Sequence, residues 1–351
     1  MCLHLLDRCP KKSIQGDRYD VRPACNLGPP MCYSAQIKAD YTRFVREYGA
    51  TLSIRDFFDL FWRRLADPTI QVPRAVESAF DSPQSDEERE IKSMIAQHAA
   101  AHVEELRADQ EKQQQRLAAA ELRLAKKLTK AATEEVRIAS KKIAAFEERI
   151  AQLQRVELEA LDSRIFPGTF VPVMVIENGR RVFKPMRYLC RPWQVPASFD
   201  VRYPGCYIAR RDSLKGFWKE LYGTHHGVVI LSAFYEHVPR HLAEGRPLQP
   251  DETLSTTQVE FRPDAPQDLL AACIWSRWSA PGQPDLLSFA LITEDPPPEI
   301  SAVGHDRCIC PIKPEDLDAW LHPSRNDLAT QDAILDRRVR PHYTHSVVTP
   351  L

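Results

Sequence analysis

Four side chains in the C-terminal half carry charge or a proton in settings that suggest chemistry. Glu236 closes the run Ala233-Phe234-Tyr235-Glu236. Partial burial at the end of such an apolar strand raises a carboxyl pKa and suits it to proton transfer. On Glu236 alone, a strand-end salt bridge is the plainer reading. His305, within Gly304-His305-Asp306-Arg307-Cys308, has a reference pKa near roughly 6.5 and can give or take a proton at neutral pH, although a lone histidine is usually structural. Arg210 and Arg307 carry guanidinium forks able to hold a phosphate bidentately, and Asp212 and Asp306 beside them offer ion pairs; both can hold at once. Tyr188 and Trp193 are suited to stack on or wedge between bases, or to fill a core. The nine cysteines fall at 2, 9, 25, 32, 190, 206, 273, 308 and 310, without a C-x-x-C pair or zinc-site spacing. No metal and no cofactor is therefore expected.

The whole chain bounds what these groups can do. Its 351 residues, 43% hydrophobic, fill one large domain or two ordinary ones. Lys and Arg total 47 against 48 for Asp and Glu, so long-range attraction to nucleic acid is not a property of the chain as a whole. Any DNA site must be a local patch. The scattered, odd set of cysteines fits a reducing cytoplasm. No apolar run approaches the roughly 20 residues of a membrane helix, and residues 1–30 place charges and prolines where a secretion signal needs apolar sequence.

The elements that must position the chemistry follow from punctuation and periodicity. Residues 1–30, ending in Asn26-Leu27-Gly28-Pro29-Pro30, lack apolar periodicity and read as a disordered extension or upstream sequence. Between Ala39 and Leu65 the apolar positions recur at helical spacing, and Ser53-Ile54-Arg55-Asp56 resembles a capping box; two short helices parted at Gly49 are predicted. Residues 85–161 open on Ser85-Asp86-Glu87-Glu88 and are rich in Ala, Glu, Lys, Arg, Gln and Leu without Pro or Gly, which predicts a long helical, coiled-coil-like element. Leu128-Thr129-Lys130 offers a turn, giving two antiparallel arms of roughly 65 and 45 Å at about 1.5 Å per residue. This hairpin reads as structural or self-associating, or as a partner-binding element; Lys126, Lys127, Lys130, Lys141 and Lys142 guiding DNA is the lesser reading, because charge runs usually mark a solvated face. Beyond Ile165 come short β-rich runs at Val171–Ile176, Val182–Arg187, Gly227–Phe234, Thr257–Phe261, Leu270–Ser276 and Leu286–Thr293, with Asn178-Gly179 as a hairpin signal. Pro314–Leu321 reads as a short helix before an irregular tail. The fold class is α+β: a mixed sheet partly closed into a barrel, with an inserted helical hairpin.

Four separated segments, in order, resemble the SOS response-associated peptidase (SRAP) family. They are Met31-Cys32-Tyr33-Ser34-Ala35-Gln36; Phe166-Pro167-Gly168-Thr169 with Pro172-Val173 and Met186-Arg187-Tyr188; Ala209-Arg210-Arg211-Asp212 with Ala233-Phe234-Tyr235-Glu236; and Gly304-His305-Asp306-Arg307-Cys308. The resemblance covers residues 31–37 and 165–322. It divides the chain into 1–30, a domain start over 31–84, the hairpin insertion over 85–161, and the main SRAP-like domain over 162–351.

What the resemblance implies is covalent capture of abasic sites in single-stranded DNA through Cys32, in the cytoplasm and on the nucleoid when DNA-bound. An N-terminal cysteine presents an amine and a thiol on adjacent carbons. Its α-amine, with a reference pKa of about 7.7–8.0, forms an imine with the open sugar's aldehyde, and the sulfur then closes a thiazolidine. Cys32 must therefore become the first residue, through a start at Met31 with removal of that methionine or through cleavage of residues 1–31. Glu236 and His305 take catalytic roles by the same resemblance; Arg210 and Arg307 grip phosphates, and Tyr188 and Trp193 meet bases. Two departures bear on this: Ile208 stands where the family has Asn, which removes a hydrogen-bonding side chain from the reacting centre, and Tyr33-Ser34 replaces the commoner Gly-Arg. Two other readings stay open. One is a cysteine-dependent peptidase or autopeptidase; the other is an inactive SRAP-like interaction module built around the hairpin.

Overall fold

The computed structural model describes residues 34–348 apart from residue 39. Its strands are β1 (Ser34–Ile37), β2 (Thr51–Leu52), β3 (Arg164–Ile165), β4 (Phe170–Glu177), β5 (Arg180–Tyr188), β6 (Ile208–Arg210), β7 (His226–Pro239), β8 (Thr256–Pro263), β9 (Leu269–Trp278), β10 (Leu286–Glu294), β11 (Cys308–Ile309), β12 (Pro311–Ile312) and β13 (Tyr343–Val347). All six β-rich runs expected from the sequence are strands. Asn178 and Gly179 both take positive φ, 50° and 73°, the two-residue turn whose twist suits the β4–β5 hairpin.

Five strands close on themselves. β9 pairs with β10, β10 with β5 in parallel, β5 with β4, β4 with β7, and β7 returns to β9. Closure leaves no free edge in this ring. The 14-residue β7 is long enough to serve three further neighbours besides β4. Its first half pairs with β9, Leu231 to Tyr235 face β1, and its last six residues pair with β8. Alternation along β7 turns Phe234 and Val238 into the main apolar core, which places Glu236 on that same inward face.

The helices precede the barrel. α1 (Tyr41–Tyr48) and α2 (Ile54–Ala66) are parted at Gly49, whose φ of 61° ends α1 in a left-handed cap. Ser53 caps α2 by position, but its hydroxyl bonds the Asp56 carboxylate instead of a backbone amide. After the single turn α3 (Arg74–Glu77), the hairpin consists of α4 (Asp86–Lys126) and α5 (Lys130–Gln154). Ser85 and Thr129 cap them as the sequence suggests, accepting from Glu88 N and Ala132 N. At about 1.5 Å per residue the arms measure roughly 61 and 37 Å.

The hairpin is rooted at both ends. Ile91 and Met94 of α4 belong to the main core beside Phe57, Leu60 and Phe61 of α2. At the other end, Arg74 donates to Gln152 O, and Arg155 pairs with Asp162 at 2.8 Å. Along α5, Ala132, Val136, Ala139, Ile143, Phe146, Ile150 and Leu153 form a buried or half-buried apolar seam spaced four and three in turn, with the half-buried Ile138 beside it. That 3.5-residue rhythm keeps one seam facing α4. The tail is more ordered than expected: Leu328–Asp336 is a helix, and β13 pairs with β8 over five residues. Among the described residues no helix is long and apolar enough to cross a membrane.

One seam position of α4 runs against the pattern. Gln113 buries its side-chain oxygen without a hydrogen-bond partner, and an orphaned buried acceptor costs about 1–3 kcal/mol. Gln113→Leu should therefore raise the hairpin's unfolding temperature, followed by circular dichroism; a lowered one would show that the amide is satisfied in solution.

Candidate functional site

The inward face of β7 brings Glu236 to the end of the barrel. His305 reaches it from the other side, on the segment that follows the short helix Pro298–Ala302. Gly304 makes the approach possible. Its φ is +86°, and a Cβ there would lie 3.1 Å from Pro239 at the end of β7 and 2.7 Å from Leu242 just beyond it. His305 Nε2 thus sits 3.0 Å from Glu236 Oε1, with both side chains almost wholly buried at 3% and 2% exposure. The separation is right for proton exchange, but the ring N–H is not well aligned with the oxygen, and neither atom completes a hydrogen bond. At that distance a small ring rotation restores the alignment.

A second buried histidine shows what a structural one looks like. His226 accepts from Gly223 N at 2.9 Å, its Nδ1 lies 3.2 Å from Trp320 O, and its ring stacks on Trp320. Burial depresses its pKa to about 3. Both nitrogens have protein partners, whereas Nε2 of His305 is left to Glu236 alone.

The surrounding charges tie the site together. Burial pushes the Glu236 carboxyl above its ordinary range, opposed by His305 and by Arg307. Burial also acts to raise Asp306, but its hydrogen bond with Arg307, helped by the charges of His305 and Arg210, holds that carboxyl below its usual value. Arg307 Nε lies 3.0 Å from Asp306, while Arg210 pairs loosely with Asp212 at 3.4 Å and Asp295 at 3.7 Å. Both arginines flank the end of β10, because Thr293 pairs with Arg210 of β6 and Glu294 with Cys308 of β11. The ion pairs anticipated for these arginines exist, and Arg210 keeps about a third of its side chain exposed.

The two aromatic expectations part company. Trp193 is 51% exposed on the loop after β5. Tyr188 is fully buried, stacked on Phe289 at 5.1 Å and edge-on to Tyr207 at 5.7 Å. A base cannot reach that ring, so the core reading holds for Tyr188 and base stacking does not. Its hydroxyl nevertheless has no hydrogen-bond partner among the described residues. Burial raises its pKa far above the normal phenol, with Tyr207 and Glu236 adding to the effect, which keeps it neutral and places it within reach of the site's field.

One group was not legible in the sequence. Arg164 is buried, donates to Ser34 Oγ at 3.1 and 2.9 Å, and lies 3.9 Å over the Tyr235 ring. It clamps the start of β1 against β7, where Ser34 pairs with Tyr235. A single arginine opening a two-residue strand carries no sequence signal of its own. Cys32 lies outside the described residues, and Ile208 of β6 packs half-buried against the core beside Leu291.

The family model for the SOS response associated peptidase (SRAP) matches residues 136–349, more than half of the chain, and the protein belongs to that family. The match takes in Glu236, His305, Arg210 and Arg307, while residues 31–37 fall outside it. No curated protein matches the chain. Among solved structures, a protein from Bacteroides thetaiotaomicron is 13% identical with a TM-score of 0.42, over 53% of this chain and 78% of that one. A protein from Bordetella bronchiseptica is 14% identical with a TM-score of 0.41, over 56% and 90%. A phage-related protein of the same organism is 17% identical at 0.41, over 58% and 89%.

Two measurements probe the site without substrate. Folding binds a proton to Glu236 more tightly than the unfolded chain does, so its contribution to stability is present at low pH and is lost as pH rises from the unfolded carboxyl range through the raised folded value. Glu236→Gln lacks that loss, and its stability relative to wild type should improve as pH rises above the unfolded carboxyl range of about 4.3 in denaturant titrations; parallel profiles would contradict the raised direction. Tyr188→Phe keeps the stacked ring and removes an unpaired hydroxyl, so it should melt no lower than wild type, and a clear drop would reveal a partner for that hydroxyl.

Proposed function

We propose that the protein captures abasic sites in single-stranded DNA through a covalent bond to Cys32. Family membership supplies a role in the DNA-damage response; the residues of the site support the finer reading. The observation that carries it is the buried Glu236–His305 pair beside the start of β1. Ser34 is paired with Tyr235, the neighbour of Glu236, and two peptide units connect Cys32 to Ser34, a covalent reach of at most about 7–8 Å.

The chemistry balances with the groups at hand. With residues 1–31 absent, the Cys32 amine adds to the aldehyde carbon of the ring-opened sugar. The resulting hydroxyl leaves as water, which requires a proton. Glu236, whose burial favours the protonated form, supplies it. The thiol then adds to the imine carbon, closing the thiazolidine, and its proton returns to Glu236, with His305 3.0 Å away to exchange it. Arg210 and Arg307 provide cations for flanking phosphates, and Trp193 an exposed ring for a base. Reversal follows the same steps backwards.

The family's name also speaks for peptidase chemistry, with Cys32 as nucleophile assisted by Glu236 and His305. Release of residues 1–31 that depends on Glu236 would favour this reading.

Incubation with a single-stranded oligonucleotide bearing one abasic site should give an adduct that survives denaturation and is lost in Cys32→Ala. Ile208→Asn should form it faster, by restoring a hydrogen-bonding side chain on β6. Absence of the adduct from protein whose N-terminal residue is confirmed as Cys32 would end the proposal; an unchanged rate in Ile208→Asn would remove the role given to that position.

A further inference from the structure

The helical hairpin is electrically divided. Residues 116–142, its outer part, hold eight Lys and Arg against three Glu, a net charge of +5; the rest of α4 and α5 holds five Lys and Arg against ten Asp and Glu, a net charge of −5. The carboxylates of the outer part are largely spent. Glu134 is paired with Arg137, and Glu135 with both Arg116 and Arg123. Lys126, Lys127, Lys130, Lys141 and Lys142 are all exposed, and among the described residues none has a carboxylate within ion-pair distance. Lys130, Arg137 and Lys141 stand seven and eleven residues along one stripe of α5. From Lys130 to Lys141 the helix rises about 17 Å, the length over which one strand of B-form DNA presents about five phosphates at roughly 3.4 Å each.

A second copy of the chain is the rival partner, because antiparallel hairpins would set +5 against −5. The surface argues against it. Large exposed apolar side chains on the hairpin are confined to Leu122 on α4 and Leu128 in the turn, both near the tip. A stable protein interface needs an apolar centre along its length, which two leucines do not provide. Unneutralised lysines without an apolar seam suit a polyanion.

We propose that the outer part of the hairpin is a second nucleic-acid contact, in which these five lysines bind the phosphate backbone of DNA held at the barrel. It rests on the reading that the protein works on DNA and is independent of Cys32 chemistry. The near-neutral chain needs a local basic patch to approach DNA, and this is the strongest concentration of unpaired cations on the hairpin.

The test uses the full chain and an undamaged single-stranded oligonucleotide, and in parallel its duplex, neither of which can form the adduct. Affinity is measured by fluorescence anisotropy across a salt series for wild type and for a variant with all five lysines changed to alanine. Four of the substitutions are exposed on helices, where alanine is favoured, and Lys127 is exposed in the turn between them, so the fold is retained. Loss of five phosphate contacts should flatten the slope of log affinity against log salt by about 3.5 on the single strand and about 4.5 on the duplex, with weaker binding at low salt. A slope within about 0.5 of wild type on both probes would overturn the proposal. So would a variant whose DNA binding is intact but whose mass by light scattering falls to half, since that assigns the lysines to a second copy. Failure of wild type to form the abasic-site adduct would sink the Cys32 reading and leave the salt result standing on its own.

Discussion

Burying an ionisable acid beside an imidazole is costly unless something holds the two together, and the barrel does so. A carboxylate taken out of water is destabilised by several kcal/mol, and attraction between partners offsets this only when the geometry is good. Here Glu236 is fixed by the alternation of a long central strand and His305 by a loop whose glycine passes within touching distance of Leu242 and Pro239. Every other feature of the site is arranged around that pair. Arg307 and Asp306 set the local charge, Arg164 and Ser34 pin the incoming strand, and Tyr188 and Tyr207 wall the interior. The residual tension is visible in the raised Glu236 carboxyl. Burial causes it, and His305 and Arg307 oppose it.

Sequence and structure agree where a local rule is strong. The Asn-Gly turn demands positive φ at both positions and obtains it, and the capping residues Ser85 and Thr129 set the starts of both hairpin helices. Glu236 and His305 were legible as candidates by residue type and by the ordered motifs, and the fold brings them to 3.0 Å. What escaped is long-range. β1 is four residues whose partners lie about 130 and about 200 positions away, and β13 is recognisable only once β8 is beside it. Tyr188 could not be separated from Trp193 by sequence, because an aromatic on a strand and one on a loop differ in burial, which depends on what packs over them.

The hairpin shows how an insertion is accommodated. Its base shares apolar core with α2, its return is fastened by Arg74 and Arg155, and its outer part is free to carry polar sequence. The seam of small and branched residues on α5 keeps the two helices close without asking the barrel for support. Such an element can change length or charge without disturbing Glu236 or His305.

The antiparallel return of that hairpin also shapes how the chain assembles. Ala35 must find Ile165 across 130 intervening positions, a slow search for a flexible loop. The helices α4 and α5 depend on near neighbours in the chain and form early, and once formed they set residue 154 alongside Val103 and its neighbours on the longer arm. The effective loop shortens by about 50 positions to about 80, a gain of about 0.4 kcal/mol in closure entropy. The insertion therefore acts as a clip that hastens the meeting of β1 with the rest of the sheet, and a flexible replacement of the same length would delay it.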